Sequence, residues 1–272
     1  MNKEQLLKEL KLQGFSKIIL KAFEKVKREN FISEHLKSFA YNNEPLSIAN
    51  GATISQPYTI AFMLTLLELD KLTNADNEKL LLDIDDNKLV TDKTNKRDYS
   101  SKYEKPSPSK NQKYDILNKV NKNKIKILEI GSGSGYVLAL INEILKILKI
   151  KNAKKLSVFG AQKIKDFSSY EIYSIERIKE LVESSRKIFN KNKKIIIVNR
   201  DGSRGLPEKK PFDRILVSAA FEKIPKELFN QLKNNGILVT PIRNSIFQFK
   251  KIKGKIKSRE FPGFVFVPVV ED

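Results

Sequence analysis

The chain of 272 residues has no cysteine, no tryptophan, two methionines and a single histidine, His35. Thiol nucleophiles, cysteine-based or multi-histidine zinc sites and a serine–histidine–aspartate triad therefore lack their parts, and no metal is expected. No apolar core follows Met1-Asn2-Lys3-Glu4, and no apolar run approaches the roughly 18 residues that span a bilayer. A soluble, unexported protein with no membrane partner is the expectation. Zero cysteine suits a reducing compartment, which points to the cytoplasm.

What is present is enough to build a core. With 40% hydrophobic and 31% charged positions, the length supports one large or two modest domains. The net charge of +20 invites a nucleic-acid partner, because clustered cations release counterions from phosphate. Lysine far outnumbers arginine, however, and Asn and Ile are abundant, as AT-rich coding produces. Arginine is the better residue for bidentate phosphate and base contacts, so the charge is read as a solvated surface and nucleic acid is not the expected partner.

Residues 3–12 and 17–28 read as amphipathic helices, with Leu6, Leu7 and Leu10, then Ile18, Ile19, Ala22, Phe23 and Val26, at helical spacing. After turn signals at Asn42-Asn43-Glu44-Pro45 and Asn50-Gly51, Ser55-Gln56-Pro57 opens a helix with Ile60, Met63, Leu64 and Leu67 as its buried stripe. Residues 1–69 thus form an N-terminal helical extension. Residues 70–123, rich in Lys, Asp, Asn and Ser with Pro106-Ser107-Pro108, read as a flexible polar insertion of nearly balanced charge. From 124 to 272 strands and helices alternate: strands at 125–130, 171–175, 195–198, 214–218 and 237–240, helices at 136–150, 177–190 and 225–232. In the helix at 177–190, Ile178, Leu181, Val182 and Ile188 share one face. That rhythm predicts an α/β fold, a doubly wound, mostly parallel sheet covered by helices on both sides. Residues 247–252 and 264–270 have strand character around Gly254 and suit a hairpin or antiparallel edge.

The segment Ile127-Leu128-Glu129-Ile130-Gly131-Ser132-Gly133-Ser134-Gly135-Tyr136 runs a strand through a glycine-rich turn into a helix. It sets bare N–H groups and a helix N-terminus at the carboxyl edge of a parallel sheet, where a ligand belongs. A dinucleotide fingerprint needs its third glycine where Tyr136 stands, and no Gly-Lys-Ser/Thr follows for a phosphate loop. What remains is Glu-x-Gly-x-Gly-x-Gly, typical of class I methyltransferases, with Glu129 opening it and the turn taking the amino-acid portion of S-adenosyl-L-methionine. Glu176, ending the next strand, then accepts the ribose hydroxyls. It lies 45 residues beyond Gly131 (176 minus 131), so the extra length must fall between about 142 and 169. Asp201-Gly202 after the third strand meets the adenine or is an ordinary turn. Ser55 is open to a second reading as a helix cap, and Tyr58 to a plain packing role.

Ala52-Thr53-Ile54-Ser55-Gln56-Pro57-Tyr58, the loop from Glu129 to Tyr136, Tyr173-Ser174-Ile175-Glu176-Arg177-Ile178, Asp201-Gly202 and Phe266-Val267-Pro268 together resemble the protein-L-isoaspartate O-methyltransferase family. The resemblance implies a Rossmann-like core with an N-terminal extension covering the active site. It also implies methyl transfer from S-adenosyl-L-methionine to the α-carboxylate of isoaspartyl residues in damaged proteins and peptides, leading to repair through a succinimide. It places the catalytic serine on Ser55 and cofactor contacts on Thr53, Ser55, Gly131, Ser132, Gly133, Glu176, Asp201 and Gly202, to which Glu129 is added as the acid of the loop. Two positions depart from the family pattern: Phe221 stands where a proline is common, and Arg243 where a glycine is usual. With the net charge of +20 these leave open a same-scaffold enzyme with another acceptor such as RNA, and the two insertions leave open an inactive cofactor-binding homologue whose site they distort.

Deleting residues 70–123 is expected to leave the core folded, as read by circular dichroism and a cooperative thermal transition; an unfolded product would show that the segment carries a structural element.

Overall fold

The computed structural model describes residues 1–72, 124–157 and 170–269, and only the backbone of 150–157. Helix α1 (Lys3–Leu12) starts in a reciprocal cap. The Asn2 side chain accepts the Gln5 N–H at 2.9 Å and the Gln5 side chain accepts the Asn2 N–H at 2.8 Å. Helix α2 (Lys17–Lys25) stops short of residue 28, because Val26 turns extended and the chain continues as a 3-10 turn, Arg28–Phe31. That early stop buries Phe31 and carries the Arg28 side chain inward, where it is 0% exposed. A small antiparallel hairpin, β1 (Leu46–Ser47) and β2 (Thr53–Ile54), leads into α3 (Pro57–Leu66), which has proline in its first turn. Its expected stripe of Ile60, Met63, Leu64 and Leu67 is buried.

The core then runs β3 (Ile125–Ile130), α4 (Tyr136–Ser157), β4 (Tyr170–Glu176), α5 (Lys179–Phe189), β5 (Ile195–Asn199), β6 (Phe212–Val217), α6 (Lys226–Phe229), β7 (Leu232–Ile242), β8 (Ser245–Ile252) and β9 (Lys255–Pro262). These strands form one seven-stranded sheet in the order β5-β4-β3-β6-β7-β8-β9. The first five are parallel and the last two are joined antiparallel. This is the Rossmann-like α/β architecture with an antiparallel edge. Chain order reverses at β3, which pairs with both β4 and β6, so a crevice opens at the carboxyl ends of these strands.

Helix α4 runs past residue 150 to Ser157 and, as a longer helix, absorbs part of the long Gly131–Glu176 spacing. Three further local expectations are corrected. The helix expected at 225–232 shrinks to α6, because Leu232 is already paired with Phe212 in the sheet. On α5, Ile188 is 44% exposed and Ser185 takes the buried position. The partner of β8 is not 264–270 but β9, whose side chains are exposed or half-buried along its whole length, so no apolar signal marks it. Its Lys255, Lys257 and Arg259 suit an edge strand that must not recruit a neighbour. Phe264–Val269 instead returns as a strap: the Ala220 N–H donates to the Val267 carbonyl at 2.8 Å and the Val269 N–H to the Ala220 carbonyl at 2.7 Å. From residue 73 onward the expected polar insertion lies outside the described residues, as do residues 158–169. No helix among the described residues is long and apolar enough to cross a membrane.

Strand alternation divides the core. Ile127, Ile172, Leu216 and Val239 face α3, α4 and the extension. Leu128, Tyr173, Ile215 and Leu238 face the other way, covered by the short α6 and by Leu206 and Phe221 from loops. One buried cation fastens the extension to the sheet. Arg214 on β6 donates from Nε to the Leu67 carbonyl at 2.7 Å and from Nη2 to the Glu68 carbonyl at 3.2 Å, satisfying the open end of α3. Gln248 on β8 donates to the preceding Leu66 carbonyl, and Lys250 pairs with Glu68, which sits at φ 48°. Arg214→Met fills similar space but leaves these carbonyls unbonded, and is expected to cost roughly 2–3 kcal/mol in urea denaturation.

Candidate active site

At the end of β3 the turn is built from main chain. The Gly131 N–H donates to the Ile175 carbonyl at 2.9 Å, and the Ser218 N–H to the Ile130 carbonyl at 2.9 Å, so β4 and β6 hold the turn from both sides. Gly133 has φ 54°, and a Cβ placed on it would stand 3.0 Å from Ile48 Cδ1. Glycine here serves both the left-handed backbone and the close seat of the β1–β2 hairpin on the turn. Tyr136, first residue of α4, is not a spare surface residue. It is 2% exposed, and its ring meets Phe23 and Phe31 with centroids 6.2 Å and 5.4 Å apart, giving the extension a knob to pack on.

Above the turn lies a cavity of about 630 Å³. Its wall combines residues 50–55 of the extension, residues 130–134 of the glycine turn, residues 175–180, residues 200–202, Ser218 and Ala219, and Val267–Val269 of the strap. The structure therefore gathers Thr53, Ser55, Gly131, Ser132, Gly133, Glu176, Asp201 and Gly202 around one space. Although 45 residues separate Gly131 from Glu176, the pairing of Ile130 with Ile175 makes them neighbours. The Glu176 carboxylate accepts the Gly133 N–H at 2.8 Å on one oxygen and the Ile178 N–H at 2.9 Å on the other. An ionised carboxylate has about four acceptor sites, so it still has room for two hydroxyls. Gly202 is required where it stands, since a Cβ would come within 2.5 Å of Ile130 Cγ2. Asp201 accepts the Ser203 N–H and hydroxyl at 2.9 Å and 2.6 Å. Partial burial works against its charge, but the Ser203 bonds, Arg177 and Arg204 hold its carboxyl below the usual range.

Glu129 is placed differently. It lies in the sheet beneath the cavity, level with Ser174 on β4 and Leu216 on β6, and is 0% exposed. Neither of its carboxyl oxygens has a hydrogen-bond partner among the described residues, nor do the hydroxyls of Ser132, Ser134 and Ser174. Burial first, and then the nearby Glu176, push its carboxyl up to about 8. Burial therefore favours the protonated form of Glu129. Ser132 and Ser134 line the cavity, so their unpaired hydroxyls can meet a polar ligand there, whereas Glu129 and Ser174 are not part of its wall.

Ser55 is half-buried in the cavity wall. Gln56 occupies the N-cap position of α3 and makes no side-chain cap bond, so the capping alternative for Ser55 does not apply. The Asn43 side chain instead accepts the Tyr58 N–H at 3.0 Å. Tyr58 packs against Phe15 and Phe62 and lies outside the wall. His35 is exposed and also outside it. Phe221 and Arg243 do not line the cavity either. The Phe221 N–H donates to the Pro241 carbonyl at 3.0 Å, a bond that proline at this position could not make. Arg243 takes φ 50° in the β7–β8 turn, the conformation that a glycine would adopt without strain. Among the described residues no group of three His, Cys, Asp or Glu side chains could hold a metal. Sequence reasoning missed the strap as a wall, the buried Ser134, and Arg28, which donates to the Ser55 carbonyl. Nothing in the pattern separates that arginine from the other basic residues.

The proton on Glu129 has a consequence for stability. The folded state holds it more tightly than the unfolded chain, whose glutamate ionises near 4.5. Its contribution is thus full below that value and is lost as pH rises toward about 8. Glu129→Gln keeps the shape and cannot ionise. Its stability relative to the wild type is expected to rise with pH across this window, with a slope of up to about 1.4 kcal/mol per pH unit. Urea midpoints between about pH 5 and about pH 9 check this; parallel curves for the two proteins would contradict it.

Residues 1–77 and 111–272 match the family model for protein-L-isoaspartate(D-aspartate) O-methyltransferase (PCMT). Protein-L-isoaspartate O-methyltransferase of Petrotoga mobilis is 31% identical, over 96% of this chain and 92% of its own length. That of Hyperthermus butylicus is 29% identical, over 98% and 88%. Among solved structures, a beta-aspartate methyltransferase (PCMT) from Plasmodium falciparum, in complex with S-adenosyl-L-homocysteine, aligns over 100% of both chains with a TM-score of 0.64 and 20% identity. With the family model spanning both the extension and the sheet that wall the cavity, this chain belongs to the protein-L-isoaspartate(D-aspartate) O-methyltransferase family.

Proposed function

We propose that this protein methylates the α-carboxylate of L-isoaspartyl residues in damaged proteins and peptides, using S-adenosyl-L-methionine. The observation that carries the reading is the joining of two distant segments: Ala52–Ser55 and the Gly131–Ser134 turn wall the same cavity. Membership of the family and the product cofactor bound in the Plasmodium relative support it. The 1–69 extension and the 124–272 core then form one methyltransferase unit, the core contributing most of the site and the extension one wall. Zero cysteine is compatible with a reducing compartment, and the cytoplasm is the location we infer. A lysine-dominated charge supports a solvated surface over a nucleic-acid site.

The cavity fits the cofactor on its own terms. The turn main chain and the unpaired Ser132 and Ser134 hydroxyls would hold the amino-acid end, with the Glu129 carboxyl below them. Glu176 would accept the ribose hydroxyls, and Asp201 and Gly202 would flank the base, with Thr53 and Ser55 closing over it. When bound, S-adenosyl-L-methionine supplies a methyl group on a sulfonium. An acceptor carboxylate with an ordinary pKa near 4 is already ionised at neutral pH, so no histidine or cysteine base is needed. Ser55 donates its hydroxyl to the acceptor carboxylate and sets its oxygen in line. Such positioning is worth up to roughly 7–11 kcal/mol in well-aligned pairs. Cofactor and acceptor bound between the hairpin and the strap would displace water from the cavity, which favours a displacement in which opposite charges disappear. Methoxide leaves far more readily than the oxide of a carboxylate, so the nitrogen of the following backbone amide attacks the ester carbonyl, gives up its proton and expels methanol to close a succinimide, and hydrolysis of that ring returns some normal aspartate.

Incubation of an isoaspartyl peptide with labelled cofactor should yield a methyl ester; cofactor binding without ester formation would overturn the acceptor assignment. Ser55→Ala is expected to lower kcat about 10–100-fold with little change in cofactor affinity, the loss of one hydrogen bond to a charged group. Glu176→Ala is expected to weaken cofactor binding by a similar factor in calorimetry. Equal effects of the two on both quantities would contradict the division of roles.

A further inference from the structure

We propose that Arg28 is a positioning residue for Ser55, acting as a buried clamp at the base of the β1–β2 hairpin. The side chain is 0% exposed. Its Nη1 donates to the carbonyls of Ala40 and Asn42 at 3.0 Å and 3.1 Å. Its Nη2 donates to those of Glu44 and Ser55 at 3.0 Å and 3.1 Å. Glu44 lies just before the hairpin and Ser55 just after it, so one nitrogen ties its two ends together. The guanidinium carbon stands 6.0 Å from the ring centre of Tyr136, which begins the helix behind the glycine turn. The clamp therefore references the Ser55 main chain to the same helix that carries the cofactor turn.

A planar guanidinium is suited to this in a way an ammonium is not. Its four terminal N–H groups point in fixed directions and reach four carbonyls on separate stretches of chain, whereas lysine offers three donors from one point. Burying a cation is costly, so an apolar residue would be the cheaper way to fill this space for packing alone. What an apolar residue cannot do is hold the Ser55 carbonyl, and with it the direction of the Ser55 side chain. A displacement of about 1 Å in a positioning group is enough to cost a large part of the rate.

The inference rests on Ser55 as the residue that aligns the acceptor, and a double-mutant cycle separates the two claims. Wild type, Arg28→Lys, Ser55→Ala and the double variant are compared by kcat at saturating cofactor and isoaspartyl peptide, normalised to sites counted by cofactor binding. Arg28→Lys is expected to lower kcat at least about tenfold in the wild-type background and to have little further effect in the Ser55→Ala background. Multiplicative losses, or an unchanged kcat per cofactor-binding site, overturn the role of Arg28 while leaving Ser55 in place. A Ser55→Ala variant with undiminished kcat overturns both. Arg28→Ala gives a second arm: added methylguanidinium should restore turnover and methylammonium should not. Equal rescue by both, or none by either, overturns the clamp.

Discussion

The close approach of bare main chain at the end of β3 is the constraint on which the site depends. Three strand ends converge there: Gly131 bonds to β4, Ser218 bonds to Ile130 of β3, and Gly202 lies against Ile130 with no room for a Cβ. A side chain at Gly133 would meet Ile48 of the hairpin, and one at Gly202 would push the third loop off the sheet. The same economy of side chains that lets these segments meet leaves donor groups exposed to the cavity at the start of α4. Crowding below the turn and openness above it are two sides of one packing arrangement.

The N-terminal extension completes this arrangement through buried polar contacts as much as through its apolar stripe. Arg214 and Gln248 take up the last carbonyls of α3, and Arg28 takes up those at the base of the hairpin. Between these anchors run residues 55–66, so the start of α3 is located at both ends relative to the sheet. Tyr136, packed between Phe23 and Phe31, joins the extension to the helix behind the turn. Residues 50–55, which begin 81 positions before the glycine turn (131 minus 50), thereby become part of its wall. Glu129 marks the tension of the design: a carboxyl wholly inside the sheet, without a partner among the described residues, close to the charge of Glu176.

Much of this could be read along the chain because burial on both faces leaves a strong mark. Ile125–Ile130, Tyr170–Glu176 and Phe212–Val217 are parallel strands rich in Ile, Leu and Val, and the glycine turn follows the first of them directly. Helix α3 announced itself by Pro57 and its apolar stripe. Where the environment is mixed, the pattern fails. Strand β9 is mostly polar and lacks a buried position because it is an edge, α6 is cut short by the pairing of Leu232, and Ile188 is apolar yet exposed. In the site, the glycines and Glu176 were legible from their place after strands. Arg28 was not, since a buried arginine and a surface one look alike in a basic sequence, and only the early end of α2 turns this one inward.

Local chemistry by itself determined the class of fold, the position of the ligand turn and the residue types available to it, because strand alternation, glycine freedom and the absence of cysteine are properties of short stretches. The tertiary structure alone decided which distant groups share the cavity and in what state. The protonation of Glu129, the release of Ser55 from a capping role and the four bonds of Arg28 depend on what neighbours exclude water and supply carbonyls. Those neighbours come from segments far apart in the chain. Desolvation and long-range hydrogen bonding are properties of the assembled space, and no window of sequence contains them.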